Sequence, residues 1–229
     1  MKKKKLIIAA VLVLIAAVAA VLIFTRKNET ESNPESVNVA DIKIDASAGG
    51  ISVVSLENIS GMYVEDGSDE VMSGIFAATF RNDSDSDLQY AKLVLAAGKE
   101  DYIFELSTVP AGATVRAMEM NKKAFVSSKG EVTLKQENIA WFDEAPSMYN
   151  NMLKITQRNN AIIVENISGQ TIAAPIYVYY KNYTDGVYIG GITYRAGTQE
   201  SLAPGKSVAL SAKHFDPDAS RLMFVTYAH

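Results

Sequence analysis

Beyond residue 50, apolar and polar residues alternate in short runs that favour β-strands over helices. The runs are rich in β-branched and aromatic residues, and Gly, Pro, Asn and Asp separate them. No long segment there has the 3.6-residue periodicity of an amphipathic helix. The pattern predicts twelve strands, at 51–56, 73–81, 88–96, 102–106, 114–120, 131–135, 153–157, 161–165, 176–181, 187–195, 207–212 and 222–227.

Many short strands at near-regular spacing are typical of β-sandwiches and β-barrels. About 180 residues is long for one seven-stranded sandwich and suits two small ones. We therefore predict an all-β fold with one β-sandwich domain at 51–140 and a second at 152–229. The segment Trp141–Pro146 interrupts the strand rhythm, so we place the boundary between residues 137 and 151.

A weak internal repeat supports the division into two domains. Asn82-Asp83-Ser84 ends a strand, and Asn166-Ile167-Ser168 does the same 84 residues later. A Pro-Gly-type turn follows in each copy before an alternating strand, and each copy then reaches an aromatic residue, Phe125 or Phe215. Asn-X-Ser offers the backbone local hydrogen bonds that end a strand, so we expect most of the Asn-X-Ser/Thr sequons to be turn chemistry.

The N-terminal segment has a different pattern, with an uninterrupted apolar run from Leu6 to Phe24. Its 19 residues would span about 28 Å as a helix, close to the bilayer core of roughly 30 Å. Four lysines precede it, and the positive-inside rule keeps that end in the cytoplasm. We favour an uncleaved membrane anchor at 6–24, with a basic tail at 1–5 and a polar stalk at 25–50. A cleavable signal peptide ending near Ala17-Val18-Ala19 is the alternative.

Charge and composition exclude several classes of function. Six of the 22 basic residues precede the first acidic residue, Glu29, so the remaining chain carries 16 basic against 26 acidic side chains. An acidic body is a poor nucleic-acid binder, because phosphate affinity depends on clustered Lys and Arg. The chain has no cysteine, which excludes disulfides, thiolate metal sites and cysteine nucleophiles.

The second copy resembles bacterial FxLYD-type extracytoplasmic modules, which are small immunoglobulin-like β-sandwiches on membrane-anchored or lipoprotein stalks. The resemblance covers 155–229 well and 73–126 loosely. It implies two immunoglobulin-like domains in tandem outside the cytoplasmic membrane, and it implies architecture and location more than activity. The residues that carry it are an Asn-X-Ser turn, an aromatic-rich strand and a Pro-Gly turn: Asn166, Ser168, Tyr177, Tyr179, Tyr180, Tyr183, Asp185, Gly186, Pro204 and Gly205.

A tyrosine-rich hairpin is the best candidate for a binding surface. Asp185-Gly186 between two strand-like runs is a strong hairpin signal, because both turn residues need positive φ. Alternation puts Tyr177, Tyr179 and Lys181 on one face of the first strand, and Val178 and Tyr180 on the other. One face forms the core, and the other exposes tyrosines that suit partner binding or merely pack across strands. The candidate residues are Tyr177, Tyr179, Tyr180, Tyr183, Tyr188 and Tyr194.

Candidates for metal binding and catalysis are weak. Asp83, Asp85 and Asp87 alternate as in a calcium loop, but the glycine and glutamate of an EF-hand are replaced by Leu88 and Val94. We expect a solvated turn there, with a non-EF calcium site as the alternative, and a loop at 66–70. The two histidines, His214 and His229, accompany no nucleophile elbow, phosphate loop, dinucleotide fingerprint or zinc-protease motif.

These patterns predict a non-catalytic protein of the cell envelope that needs no cofactor. We expect its own helix to hold it in the membrane and its extracytoplasmic domains to bind an envelope protein or polymer, with no nucleic-acid partner. The alternative is a ligand-binding accessory module of a transporter or envelope sensor, with the tyrosine hairpin as its site. An enzyme built around His214 is the least supported reading, since no acid/base set accompanies that residue.

Overall fold

The computed structural model of the protein describes residues 43–45, 47–126, 131–158 and 161–228. The predicted anchor, the basic tail, most of the stalk and His229 lie outside these ranges. Within them, no helix is long and apolar enough to cross a membrane. The described chain is all-β, with these strands: β1 Lys43–Asp45, β2 Ser47–Ala48, β3 Ile51–Met62, β4 Val71–Asn82, β5 Leu88–Ala97, β6 Glu100–Val109, β7 Thr114–Met118, β8 Glu131–Trp141, β9 Leu153–Arg158, β10 Ala161–Asn166, β11 Ala173–Thr184, β12 Val187–Thr198, β13 Ser207–Ser211 and β14 Ser220–Ala228.

All twelve predicted strands occur, and the differences lie at their ends. β3 continues to Met62 because two register shifts, between Val53 and Ser55 and between Ile59 and Gly61, carry the pairing with β4 past breaks in the alternation. β8 continues to Trp141, which pairs with Leu88 of β5. The break in the strand pattern, predicted to begin at Trp141, therefore begins one residue later, at Phe142.

The strands form three sheets. Seven of them lie in the order β14-β11-β12-β7-β4-β3-β2, four in the order β1-β8-β5-β6 and three in the order β13-β10-β9. The largest sheet contains strands from both halves of the chain, because β12 pairs in parallel with β7. All the described residues belong to one compact unit.

One pairing scheme occurs twice along the chain. In residues 51–141, which we call the N-terminal half, β4 lies between β3 and β7 and β5 lies between β6 and β8. In residues 153–228, the C-terminal half, β10 lies between β9 and β13 and β11 lies between β12 and β14. Each half thus contributes two groups of three strands, and the strand order along the chain is the same.

Each half has its own apolar core. In the N-terminal half Phe76 stacks on Phe125 with ring centroids 4.5 Å apart, and both residues are buried. In the C-terminal half Phe215 packs edge-on against Tyr180 at 5.3 Å, and both are again buried. Burying aromatic rings between facing groups of strands supplies most of the apolar area of a sandwich core. The two aromatics that the repeat predicted, Phe125 and Phe215, are therefore core residues.

The two Asn-X-Ser turns have matching hydrogen bonds. Asn82 is buried, and its Nδ2 donates to the carbonyls of Ser86 at 2.9 Å and Val109 at 3.0 Å. Its Oδ1 accepts a hydrogen bond from Ser84 Oγ at 2.8 Å. Asn166 repeats this arrangement, donating to Gln170 and Leu202 at 2.7 Å and accepting from Ser168 Oγ at 2.7 Å.

These buried amides join the end of one strand to the turn before another, so the two sequons are turn chemistry as predicted. Asn58, which also begins an Asn-X-Ser sequence, differs from both. It lies within β3, and its side chain bonds both backbone groups of Phe125, donating to the carbonyl at 3.0 Å and accepting from N–H at 2.8 Å. The same five residues, Glu-Asn-Ile-Ser-Gly, thus have different roles at 57–61 and at 165–169.

Candidate functional site

The predicted hairpin is present and joins β11 to β12. Asp185 and Gly186 have φ of 50° and 86°, and the flanking residues Thr184 and Val187 pair with each other. Positive φ at both central residues matches the right-handed twist of the strands. This hairpin therefore sets which tyrosines face the core and which face outward.

Alternation along the start of β11 also holds. Val178 and Tyr180 are buried in the C-terminal core, whereas Tyr177 and Tyr179 lie half-buried on the outer face of the sheet. Only two of the six candidate tyrosines therefore sit on this outer face of β11. They are joined there by aromatic residues from other segments of the chain.

These residues form what we call the outer aromatic strip, which consists of Tyr177, Tyr179, Phe224 and Phe142. Tyr179 stacks on Phe224 of the neighbouring strand β14, with ring centroids 4.3 Å apart and planes 8° apart. Phe142, from the segment between the halves, packs edge-on against Phe224 at 5.5 Å. Tyr177 lies 6.5 Å from Tyr179 along β11. Such packing fixes the ring positions before any partner binds.

A glycine and an arginine complete one end of the strip. Gly197 pairs with Tyr177 across β11 and β12, and a Cβ at Gly197 would lie only 2.2 Å from Cδ1 of the ring. The ring therefore covers the glycine backbone. The Arg195 guanidinium lies 4.8 Å from the Tyr177 ring centroid, within cation–π distance. The strip thus ends on a positive charge.

The other tyrosine candidates do not lie on the strip. Tyr180 is a core residue, and Tyr194 stacks on it at 5.5 Å. Tyr183 and Tyr188 contact each other at the hairpin tip at 5.0 Å, with Arg221 positioned 4.9 Å from the Tyr183 ring. The six tyrosines are therefore divided among a core, a hairpin tip and the strip.

Lys181, which alternation places on one face of β11 with Tyr177 and Tyr179, is not exposed as they are. The pairing of β11 with β12 shifts register between Tyr180 and Asn182, so Lys181 alone stands opposite residues 190–193 of β12. At this bulge the exposed fraction of Lys181 is 0%. Its ammonium donates to the carbonyls of Gly191 at 3.0 Å and Ile192 at 2.7 Å.

A buried carboxylate meets the same bulge from the N-terminal half. Glu65 has an exposed fraction of 4%. Its Oε2 accepts hydrogen bonds from the N–H groups of Gly191 at 2.7 Å and Ile192 at 3.3 Å, and its Oε1 accepts one from Met118 N–H at 2.8 Å. Glu65 and Lys181, which we call the junction pair, thus bond opposite sides of the same Gly191 peptide.

Burial opposes the charge on both members of the junction pair. Desolvation raises the pKa of Glu65 to about 7, against the lowering effects of the Met118 N–H and of Lys181. Desolvation likewise lowers the pKa of Lys181 to about 7, against the attraction of Glu65. Strongly perturbed ionisable groups often mark active sites, but structural networks also contain them. Here three N–H groups bond the carboxylate and three carbonyls bond the ammonium, so the geometry fits a structural role.

Sequence reasoning missed the junction pair. Glu65 precedes the polar run 66–70 and looks like part of a solvated loop. Lys181 is the only charged residue between Pro175 and Thr184, and Gly190-Gly191 interrupts the partner strand. A lysine in a strand opposite a Gly-Gly break is a usable signal for a bulge with a buried cation, although it does not reveal the anion.

The aspartate run forms a turn in which the carboxylates do not converge. Asp83 pairs with Arg81 at 3.1 Å, and Asp87 accepts the Ala111 N–H at 2.9 Å. Asp85 contacts only the neighbouring Ser86 hydroxyl, at 3.4 Å. No group of three His, Asp or Glu side chains in the described residues could hold a metal ion. These separate contacts are those of a solvated turn.

His214 lies beside the junction and packs against a tyrosine. Its ring stacks on Tyr194 with centroids 4.5 Å apart, and its Nδ1 is 3.4 Å from Asp69 Oδ1. The neighbouring Lys213 donates to Asp69 Oδ2 at 2.7 Å. The loop 66–70, predicted as solvated, therefore reaches the C-terminal half through Asp69.

Comparison with known proteins gives no assignment. No protein-family model matches the chain, and no curated protein matches it significantly.

Proposed function

We propose that this protein is a membrane-anchored, non-catalytic interaction protein of the cell envelope. The apolar run from Leu6 to Phe24 is long enough to cross a bilayer, and the lysines before it favour a cytoplasmic N-terminus. The strand-forming body then lies on the extracytoplasmic side. The acidic balance of the body suits a protein that does not bind nucleic acid.

The body is proposed to be two immunoglobulin-like domains in tandem, as in FxLYD-type modules. The duplicated strand pairing supports this proposal, since each half contains one group of three strands with β4 or β10 in the middle and a second with β5 or β11 in the middle. The matching bonds of Asn82 and Asn166 support it further. Modules of this kind serve as rigid supports for binding surfaces.

The outer aromatic strip carries the proposal of a binding role. Tyr177, Tyr179, Phe224 and Phe142 present a row of half-exposed rings that packing holds in place, with Arg195 at one end. Aromatic and arginine side chains dominate binding energy at interfaces, and rings fixed in advance lose little entropy on binding. We expect an envelope protein or polymer to bind across this strip.

Paired substitutions test the binding role. Tyr179→Ser removes the centre of the strip without touching the core, and Thr156→Ala, at an exposed position of β9, is the control. We expect Tyr179→Ser to abolish recovery of a partner from crosslinked, solubilised membranes, while Tm changes little and Thr156→Ala behaves as wild type. Equal recovery with Tyr179→Ser would contradict the assignment of the strip.

Membrane topology is tested separately by cysteine labelling. The chain contains no native cysteine, so an introduced one is the single thiol. Glu200→Cys introduces one thiol at an exposed turn of the C-terminal half. A membrane-impermeant maleimide should label it on intact cells of the native host. Labelling only after the cells are lysed would refute the extracytoplasmic location.

A further inference from the structure

Within the described residues, the strand pairing that joins the two halves is short. β12 pairs with β7 at three positions, and the last joins Ile189 to Arg116. Beyond this point β12 enters its bulge, where the register with β11 is lost until Tyr194. Backbone groups of Gly191 and Ile192 would have no strand partner there, and unbonded buried backbone groups are costly.

The junction pair supplies the missing partners. The Glu65 carboxylate bonds the N–H groups of Met118 on β7 and of Gly191 and Ile192 on β12. It thus bridges the two strands just where their ladder ends. Because Glu65 and Met118 belong to the N-terminal half and β12 to the C-terminal half, this carboxylate joins the halves directly.

Lys181 bridges the halves from the opposite side of the bulge. Its ammonium donates to Ser107 on β6 at 3.1 Å, in addition to Gly191 and Ile192. Thr193 adds a second bond to the same Ser107 carbonyl at 3.0 Å. Three carbonyls receive the three N–H bonds of one ammonium, so its donors are fully used.

We propose that Glu65 and Lys181 form a polar lock that selects this one arrangement of the two halves. Apolar surfaces can slide on each other at small cost, whereas N–H and C=O groups bond only in a narrow range of directions. Any other arrangement leaves a buried carboxylate and a buried ammonium without their partners, which costs several kcal/mol. Specifying an arrangement through a buried polar pair is a known use of such groups.

Close packing around Gly191 leaves no room for adjustment. A Cβ at this position would lie 1.9 Å from the Glu105 backbone carbonyl oxygen and 3.0 Å from Glu65 Oε2. Gly191 is therefore packed against the backbone of β6 as well as against the side chain of Glu65. The exposed cross-half contact of Lys213 with Asp69 lies outside it, with side-chain exposures of 70% and 24%.

Spin-label distances in the full-length chain in nanodiscs test the lock. Lys99→Cys and Glu200→Cys place one label in each half, and Gln157→Cys with Glu200→Cys places both labels in the C-terminal half; all three positions are exposed. The distances are measured by pulsed electron resonance in wild type and with Glu65→Gln. Asp69→Asn, which neutralises the carboxylate that contacts Lys213 and His214 outside the lock, is the matched control.

We expect a single narrow distance between the halves in wild type and in Asp69→Asn. With Glu65→Gln that distribution should broaden or gain a second distance, while the distance within the C-terminal half stays unchanged. If Glu65→Gln does not fold, Glu65→Gln/Lys181→Met, which leaves no unpaired buried charge, is measured by the same criterion. An unchanged distance between the halves would overturn the proposal, and so would equal broadening of both distances.

Discussion

Replacing Lys181 with methionine removes the buried ammonium while keeping an unbranched apolar side chain of similar length. The Ile192 carbonyl then loses its ammonium donor, the carbonyls of Ser107 and Gly191 still accept from the hydroxyls of Thr193 and Ser107, and Glu65 remains buried without the charge that attracts it. Leaving a buried charge without its compensating opposite charge costs about 3–5 kcal/mol. We expect a loss of that size in the free energy of unfolding at pH 7.

Urea unfolding of the chain measures this loss through the shift in midpoint at unchanged slope. The double variant Glu65→Gln/Lys181→Met is the control, because it removes both charges together. We expect it to recover most of the stability lost in Lys181→Met, giving a coupling energy of several kcal/mol between the two positions. An exposed ion pair contributes less than about 1 kcal/mol. A decrease of that size in the free energy of unfolding of Lys181→Met would contradict a stabilising role for the buried pair.

The free energy of unfolding of Lys181→Met should increase on acidification. Burial raises the pKa of Glu65 from 4.5 to about 7 even with Lys181 present, and loss of the ammonium removes an opposing effect. A carboxyl with a raised pKa binds its proton more tightly in the folded state, so its contribution is full below pH 4.5 and is lost as pH rises through the folded pKa. The ionisable groups whose charges act on it or on its neighbours Tyr63 and Tyr194 are Lys181, Asp66, Asp69 and Glu119.

We therefore expect the stability gap between wild type and Lys181→Met to be smaller at pH 5 than at pH 8. Urea titrations at the two pH values measure this gap. A gap that is constant or that widens on acidification would show that Glu65 is not the group left unpaired.

Two further substitutions probe the backbone around the junction and the repeated turn. Gly191→Ala should cost about 3 kcal/mol or more through the clash with the Glu105 carbonyl, whereas Gly169→Ala, with no atom within 4 Å of the new Cβ, should stay within about 0.5 kcal/mol. Asn166→Ala removes the side-chain hydrogen bonds to the carbonyls of Gln170 and Leu202, which still accept from Ser168 Oγ and Ile172 N–H, and should cost about 1–3 kcal/mol, against less than about 0.5 kcal/mol for the exposed Asn151→Ala. Thermal and urea unfolding measure all four, and similar losses in a substitution and its control would contradict the local contacts described.

Much of the fold could be predicted because strands leave a local signature. Alternation located β4, β5 and β11, and Asp185-Gly186 marked the hairpin through the φ values that it requires. The Asn-X-Ser spacing revealed the matching turns, since their bonds reach mainly to nearby backbone. The inner and outer faces at the start of β11 followed from period two.

The junction could not be predicted because it depends on contacts between distant parts of the chain. Lys181 is buried by contacts with β6 and with the β12 bulge, and nothing local to β11 shows these contacts. Glu65 is separated by 126 residues from the Gly191 N–H that it accepts. Of the outer aromatic strip, only Tyr177 and Tyr179 could be predicted from the sequence. Phe142 and Phe224 join them through tertiary packing.

Site-specific photocrosslinking in living cells tests the binding role most directly. A photoreactive phenylalanine analogue at Tyr179 keeps a ring in the strip, and the same analogue at the exposed Thr156 of β9 is the control. We predict a discrete crosslinked product from position 179 that position 156 does not give. The same products from both positions, or none from position 179, would contradict the claim that the outer aromatic strip binds a partner.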